Sequence, residues 1–402
     1  MREHEFVAMM ALLQALQALA IDAMLPALGV MSRELAVNDP NHRQLVVGVF
    51  LFCSGLGALF PGALADRFGR RRVVLVCVGG YVLFSLAAAL SPGFTVLLVM
   101  RGCAGVLSAG MIVMSATIIR DRFSGDRMAR MQSLVSMVFM VVPMIAPTLG
   151  QAVLLFAGWR WIFGIMAGLA ALVWIWVFLR LPETLHPEFR QRIAVRVIAG
   201  NMRTALLSRA AIGYVLGMAL IQGALFGYIS SSEQLVAEHF GAGDRFPLVF
   251  GGMALCMAAA NLTNSRIVER YGARRVSHSA VLAYILVGVL QVVLALRPGE
   301  TLWQFMPVMT LNLCLMGFIG ANFSAIALQP FARIAGAAAS LQTFIRLALG
   351  SALGIVIGQA YDGTALPFAL SLLVAGTGAL LLVLYSERGR LFRRLHGQVQ
   401  QA

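Results

Sequence analysis

Asp22 is the only acid deep within an apolar run of this 402-residue chain. An ionised carboxylate in a low-dielectric core is costly unless paired, and a carboxyl group that exchanges a proton there is what a proton carrier needs. Counted from Phe6 at about 1.5 Å per helical residue, Asp22 lies about 24 Å into its run, with about 12 Å left to the far end. Arg101 stands six residues after Thr95 in a run of opposite direction, about 9 Å below the same surface. At similar depth, a permanently charged guanidinium could favour the ionised form of Asp22 in one conformation while desolvation favours the protonated form in another. The competing reading is a structural buried ion pair with no part in turnover.

Other polar side chains are scattered through apolar runs. Gln14, Gln17 and Asp22 fall within about 140° on one helix face, so that face is wet or covered by protein. Gln222, Tyr228, Asn312, Asn322, Gln342 and Arg346 are the second-half candidates for a substrate cavity. Amides fix ligands without net charge, yet each could equally bridge two helices. Arg346 suits an anion, or could snorkel or pair with a carbonyl. Glu233 and Asp362, near outer run ends, read as rim charges, and the five cysteines as small core residues.

The elements that must hold these residues are membrane helices. With 60% of residues hydrophobic and only 12% charged, the chain carries about half the charge of a globular protein. At about 20 residues per crossing, the runs 6–30, 44–65, 73–91, 95–119, 131–157 and 161–180, then 210–236, 247–268, 276–296, 302–328, 334–361 and 365–385, make twelve spans. This predicts an all-α integral membrane protein: a bundle over 1–180, a cytoplasmic linker over 181–209 holding Arg190 and Arg192, a second bundle over 210–388 and a basic tail over 389–402. All 31 basic residues are arginine, against 17 acids. A formal charge of +14 could point to nucleic acid, but the arginines cluster between apolar runs. With both termini cytoplasmic, 24 arginines lie inside and only Arg33, Arg43, Arg160, Arg245 and Arg297 outside, as the positive-inside rule requires. Anionic lipid is the expected counter-charge. The first run exceeds a signal-peptide core and should remain as the first span.

The halves repeat at an offset of 203 residues. Asp66-Arg67-Phe68-Gly69-Arg70-Arg71-Arg72-Val73 maps onto Glu269-Arg270-Tyr271-Gly272-Ala273-Arg274-Arg275-Val276, and Ala129-Arg130-Met131 onto Ala332-Arg333-Ile334. Two matches in one register indicate a duplication into parallel six-helix halves.

These stretches resemble the major facilitator superfamily, in particular its twelve-helix drug:proton antiporters of the bicyclomycin- and chloramphenicol-resistance (Bcr/CflA) group. The segment 62–72 follows the superfamily signature between spans two and three. Ile21-Asp22-Ala23-Met24-Leu25-Pro26-Ala27-Leu28 resembles the group's first-helix signature, and Leu181-Pro182-Glu183-Thr184-Leu185 its segment after span six. Ala146-Pro147-Thr148-Leu149-Gly150-Gln151 resembles the antiporter motif G-P-x-x-G-G, with alanine and glutamine at two glycine positions. Arg101-Gly102-Cys103-Ala104-Gly105 has alanine where the family pattern has glutamine.

The resemblance implies a major facilitator fold of twelve helices in two pseudo-symmetric six-helix bundles, working as a monomer in a bacterial-type inner membrane. Asp22 and Arg101 would line the first half's cavity. The substrate would be a drug or small amphipathic molecule, exchanged for protons, with lipid around it and no cofactor. Gly62, Asp66, Arg67, Gly69, Arg70 and Arg71, with a weaker copy at Glu269, Arg270 and Gly272, would form a cytoplasmic latch. Gly62 would let helices approach and Gly69 would supply a turn. Topology-setting arginines alone would explain Arg70, Arg71 and Arg72, but not the spacing of Gly62, Asp66 and Gly69. Pro147 and Gly150 predict a kink or close packing in span five. The alternatives are proton-driven uptake of a metabolite and a non-transporting receptor or scaffold. An intramembrane hydrolase would need a constellation such as Ser with His, whereas His4, His42, His186, His239, His278 and His396 fall at ends, in loops or at the start of a span. No phosphate-binding G-x-x-x-x-G-K-[ST] loop occurs.

Overall fold

A computed structural model describes residues 3–123, 125–185, 188 and 195–392. His186, Arg190 and Arg192 of the linker, and the tail from residue 393 onward with His396, lie outside the described residues. Among the described residues every long element is a helix. The helices are α1 (Glu3–Asp22), α2 (Leu28–Glu34), α3 (Leu45–Gly57), α4 (Pro61–Phe68), α5 (Arg70–Ala89), α6 (Phe94–Arg122), α7 (Gly125–Phe156), α8 (Arg160–Arg180), α9 (Val195–Leu207) and α10 (Arg209–Glu233). They continue as α11 (Phe246–Tyr271), α12 (Ala273–Ala295), α13 (Leu302–Leu328), α14 (Ala335–Gln359) and α15 (Leu366–Ser386).

Among the described residues, eleven stretches are long and apolar enough to cross a membrane. The pair Pro40–Gly57 and Pro61–Phe68, bent by 46°, makes the twelfth. Large apolar side chains stand exposed on their outer faces, among them Phe156 at 90%, Leu90 at 80% and Leu248 at 79%. Such a surface is stable only against lipid. Cys256 belongs to this exposed set and is not a core residue; Cys77 alone of the five is fully buried.

Two sequence features shape the helices where the site needs shaping. Proline has no N–H to donate to the carbonyl four residues back, and its ring crowds that carbonyl. Pro26 therefore ends α1 at Asp22, and a short 3-10 turn over Leu25–Ala27 leads into α2. Glu3–Glu34 still makes one membrane-length stretch, broken locally after Asp22. Gly69 at φ +97° and Gly272 at φ +83° adopt backbone that other residues resist. They stand 203 residues apart and make the α4–α5 and α11–α12 turns, so the repeat legible in sequence is also a repeat of backbone conformation.

The contacts define two units. One comprises Met1–Val195 and Tyr228–Leu255, the other Arg196–Gly227 and Cys256–Ala402. The first unit is built on the packing of α6 against α3 and α5, of α5 against α8 and of α1 against α7. The second is built on α12 with α13 and α15. Grouping by contact differs from a cut at the linker, because residues 228–255 bond within the first unit, as described below.

Candidate functional site

Asp22 is 5% exposed at the last residue of α1, and among the described residues no hydrogen bond or ion pair reaches its carboxylate. A helix that stops leaves its last carbonyls without intrahelical donors. Arg101, 1% exposed on α6, supplies one: its Nη2 donates to the Ala20 carbonyl at 2.9 Å and its Nε to the Val46 carbonyl at 3.2 Å. The guanidinium also lies 4.1 Å from the Phe50 ring centroid and 5.7 Å from that of Phe163. Arg101 thus caps the break that carries Asp22, joining α1 to α3, and does not pair with the acid itself. α7 closes the same place. Gly150 packs on the Ala23 carbonyl so tightly that a β-carbon would collide with it. The close packing expected of Pro147 and Gly150 falls one residue from Asp22.

The two glutamines of α1 face its neighbours. Gln14 Nε2 donates to Ser115 Oγ at 3.2 Å, and that serine donates to the Met10 carbonyl. Gln17 Nε2 donates to Ser54 Oγ at 2.7 Å, leaving its buried Oε1 without a donor among the described residues. Both amides bridge helices in this conformation. Tyr228, 2% exposed, donates to Met253 Sδ at 3.0 Å and stacks near Phe250.

In the second unit, a cavity of about 210 Å³ is lined by Met218, Gln222, Met257, Asn261 and Met316 with glycine and alanine of α13. Gln222 is the one sequence candidate that lines it; Asn261 and the methionines are additions, foreshadowed only by the richness of the chain in methionine. Asn322 bonds Asn264 at 2.9 Å and the Phe318 carbonyl of its own helix at 2.7 Å. Asn312 bonds the Val308 carbonyl at 3.3 Å. Asn322 therefore acts within and between helices, whereas Asn312 bonds within its own helix and its buried Oδ1 has no donor among the described residues. Gln342 reaches Met218 Sδ at 3.6 Å, and its buried Oε1 has no donor among the described residues. Arg346, half-buried on α14, has no hydrogen bond or ion pair among them.

At one end of the first unit's helices the signature residues form a clasp. Arg70 Nη1 meets Asp66 at 2.6 Å, its Nε meets Asp121 at 2.9 Å, and its backbone N–H donates to Glu183 at 2.8 Å. Glu183 also accepts the N–H groups of Thr184 and Leu185. Arg71 donates to the Phe178 carbonyl at 2.6 Å, and Arg67 lies over Phe68. Gly69 passes so close to the Glu183 carboxylate that a β-carbon would collide with it. Gly62 has no such role, since a β-carbon there would meet nothing within 4 Å. The expectation of a close approach at Gly62 is thus corrected.

The copy in the second unit uses different residues from those expected. Glu269 and Arg270 are exposed, and no bond of Glu269 occurs among the described residues. The clasp is built by Arg274, whose Nε meets Glu387 at 2.8 Å and whose Nη1 meets Gln329 at 2.9 Å. Tyr214 donates to Glu387 at 2.6 Å and bonds His278, which also accepts the Phe392 N–H. Burial pushes the Glu387 carboxyl up, but the hydrogen bonds of Tyr214 and Arg274 and the Arg274 charge outweigh it and hold it below the usual carboxylate value. Glu387 follows α15 as Glu183 follows α8, so each clasp ends on a glutamate just past the last helix of its half.

A third polar group lies in the first unit, at the start of α3 and the end of α10. Arg43, 6% exposed at its side chain, pairs with Glu238 and lies 3.8 Å from Glu233, while Gln44 bonds Gln234 and Gln234 bonds Asn41. Glu233, the last residue of α10, is half-buried beside Arg43, 13% exposed at its side chain. Asp362 is exposed and caps its own turn through Thr364.

Among the described residues, membrane-length apolar spans carrying sparse, buried polar side chains make a multi-pass membrane protein, and the family that its sequence matches makes it a transporter of small molecules and not an enzyme. The chain belongs to the major facilitator superfamily, whose family model matches residues 10–355. It is 28% identical to a bicyclomycin resistance protein homolog of Haemophilus influenzae over 91% of this chain and 92% of that one. It is 26% identical to multidrug resistance protein MdtL of Klebsiella pneumoniae over 90% and 91%. A solved D-xylose-proton symporter superposes at TM-score 0.74 over 96% of both chains with 14% identity, a likeness of fold.

Proposed function

We propose that this protein is a proton-coupled antiporter of the Bcr/CflA type that exports drugs or small amphipathic molecules across a bacterial inner membrane by alternating access. It acts as a monomer with both termini cytoplasmic, its two six-helix halves rocking about the linker, and the proton gradient alone drives it. The observation that carries this reading is Asp22: an acid buried where a proline breaks a membrane helix, with no partner among the described residues. The drug-resistance names of its relatives support export over uptake.

Alternation would change what surrounds that carboxyl group. Arg101 holds the helix end through Ala20, and any shift of α6 against α1 alters the field at Asp22. A proton taken up on one side and released on the other drives the cycle. A membrane potential of 100 mV is worth ~2.3 kcal/mol per charge, and a tenfold gradient of neutral substrate costs ~1.4 kcal/mol, so one proton per cycle suffices. The clasp at Arg70 steadies the cytoplasmic ends of α4, α5 and α6 through the stroke.

The test is drug accumulation in everted vesicles energised by a proton gradient, comparing the parent with Asp22→Asn. Accumulation in the variant should fall to the level of empty vesicles. A variant that still concentrates drug would end the proton-carrier assignment.

A further inference from the structure

We infer that the transported molecules carry an anionic group, and that Arg346 is the residue that holds it. The inference rests on the exporter reading and names the substrate class of that site.

Arg346 lies eleven residues into α14 and thirteen before its end, about 16 Å and about 20 Å along the axis, beyond the reach of an arginine side chain toward either surface. Its guanidinium stays charged under any condition the cell meets. Intramembrane cations of this kind are held by acids or carbonyls, or they mark the path of a charged cargo. Arg101 shows the first arrangement, with two carbonyls and two aromatic faces. Arg346 shows none of it among the described residues.

The second unit cannot supply the missing acid. Its carboxylates, Glu269, Glu300, Asp362 and Glu387, all lie at helix ends or in turns, and the unit's portions of α10, α11, α13, α14 and α15 hold no acid between their terminal turns. The cation therefore faces an apolar unit with no counter-charge of its own.

Its position points to the cavity. Residues 342, 346 and 350 share one face of α14 at a spacing of four. Gln342 touches Met218, and a β-carbon at Gly350 would lie 3.3 Å from the Gln222 side chain. Arg346 is the residue between them, and Met218 and Gln222 are cavity-lining residues. Three methionines there suit a flat aromatic body. One turn before Arg346 on that face, Gln342 Oε1 is a buried acceptor with no donor among the described residues. The fitting ligand is an aromatic molecule with a carboxylate, sulfonate or similar anion, and an adjacent N–H would satisfy Gln342.

Equilibrium dialysis of the purified full-length protein with 2-naphthalenesulfonate and with 2-naphthalenesulfonamide tests this, since the two share a ring and differ in charge. The parent should bind the sulfonate at least tenfold more tightly. Arg346→Gln should lose about tenfold for the sulfonate and stay within twofold for the sulfonamide, while Arg346→Lys should retain most of the preference. Equal affinity of the parent for both probes overturns the inference, as does an equal loss of both in Arg346→Gln with Arg346→Lys unchanged. The measurement uses no proton gradient, so its failure is separate from failure of the Asp22 vesicle assay, which would sink the exporter reading itself.

Discussion

Arg101 and Arg346 are both arginines within membrane helices, and the structure gives them opposite surroundings. Arg101 spends its donors on the carbonyls of Ala20 and Val46. A lysine there keeps the charge but cannot span both with a planar fork. Arg101→Lys should lower the thermal stability of purified protein by about 1.5–3 kcal/mol, the worth of one charged hydrogen bond, and should reduce drug accumulation further than a stability-matched substitution elsewhere. Unchanged unfolding would contradict the cap. A second contrast lies in the glycines of the signature motif. Gly69→Ala must strain a positive φ and displace Glu183, a cost of about 1–3 kcal/mol. Gly62→Ala meets open space and should stay within about 0.5 kcal/mol of the parent. The sequence ranks the two glycines alike because both sit in one motif; only the packing around each separates them.

The elements show what a linear reading can and cannot carry. The spans were legible because a membrane helix writes its length in apolar residues. The break after Asp22 was written too, in Pro26, yet an apolar run hides a proline's effect when only hydropathy is followed. Gln14 and Gln17 were legible as a polar face, but Ser115 and Ser54, which occupy that face, are 101 and 37 residues away. The clasp of the second unit was misassigned for the same reason. Arg274 and Glu387 lie 113 residues apart, and the adjacent Glu269 looked like the natural acid. That clasp makes a pH prediction. Glu387 is held below its usual carboxylate value, so its contribution to stability is complete above the unfolded value of about 4.3 and is lost as pH falls through the folded one. The midpoint of unfolding of Glu387→Gln should therefore lie below the parent's at pH 7, and the gap should close toward pH 3. A gap that stays constant over this range would contradict the ion pair as its source.

For the whole molecule, the 203-residue repeat links sequence, backbone and chemistry. It places Gly69 and Gly272 in matching turns, while the clasp residues Arg70 and Glu183 find their second-half counterparts, Arg274 and Glu387, 204 residues on. It does not repeat Asp22, which has no acidic counterpart in the second half; that half has the half-buried Arg346 instead. The proposed division of labour follows: the first half would hold the proton and the second the cargo. The most direct measurement of the central claim is proton exchange by purified protein in weakly buffered detergent, followed with a pH indicator as a transported drug is added. The parent should release about one proton per chain, at one buried acid per chain, and Asp22→Asn none while still binding the drug. Equal proton release from both proteins would contradict the account.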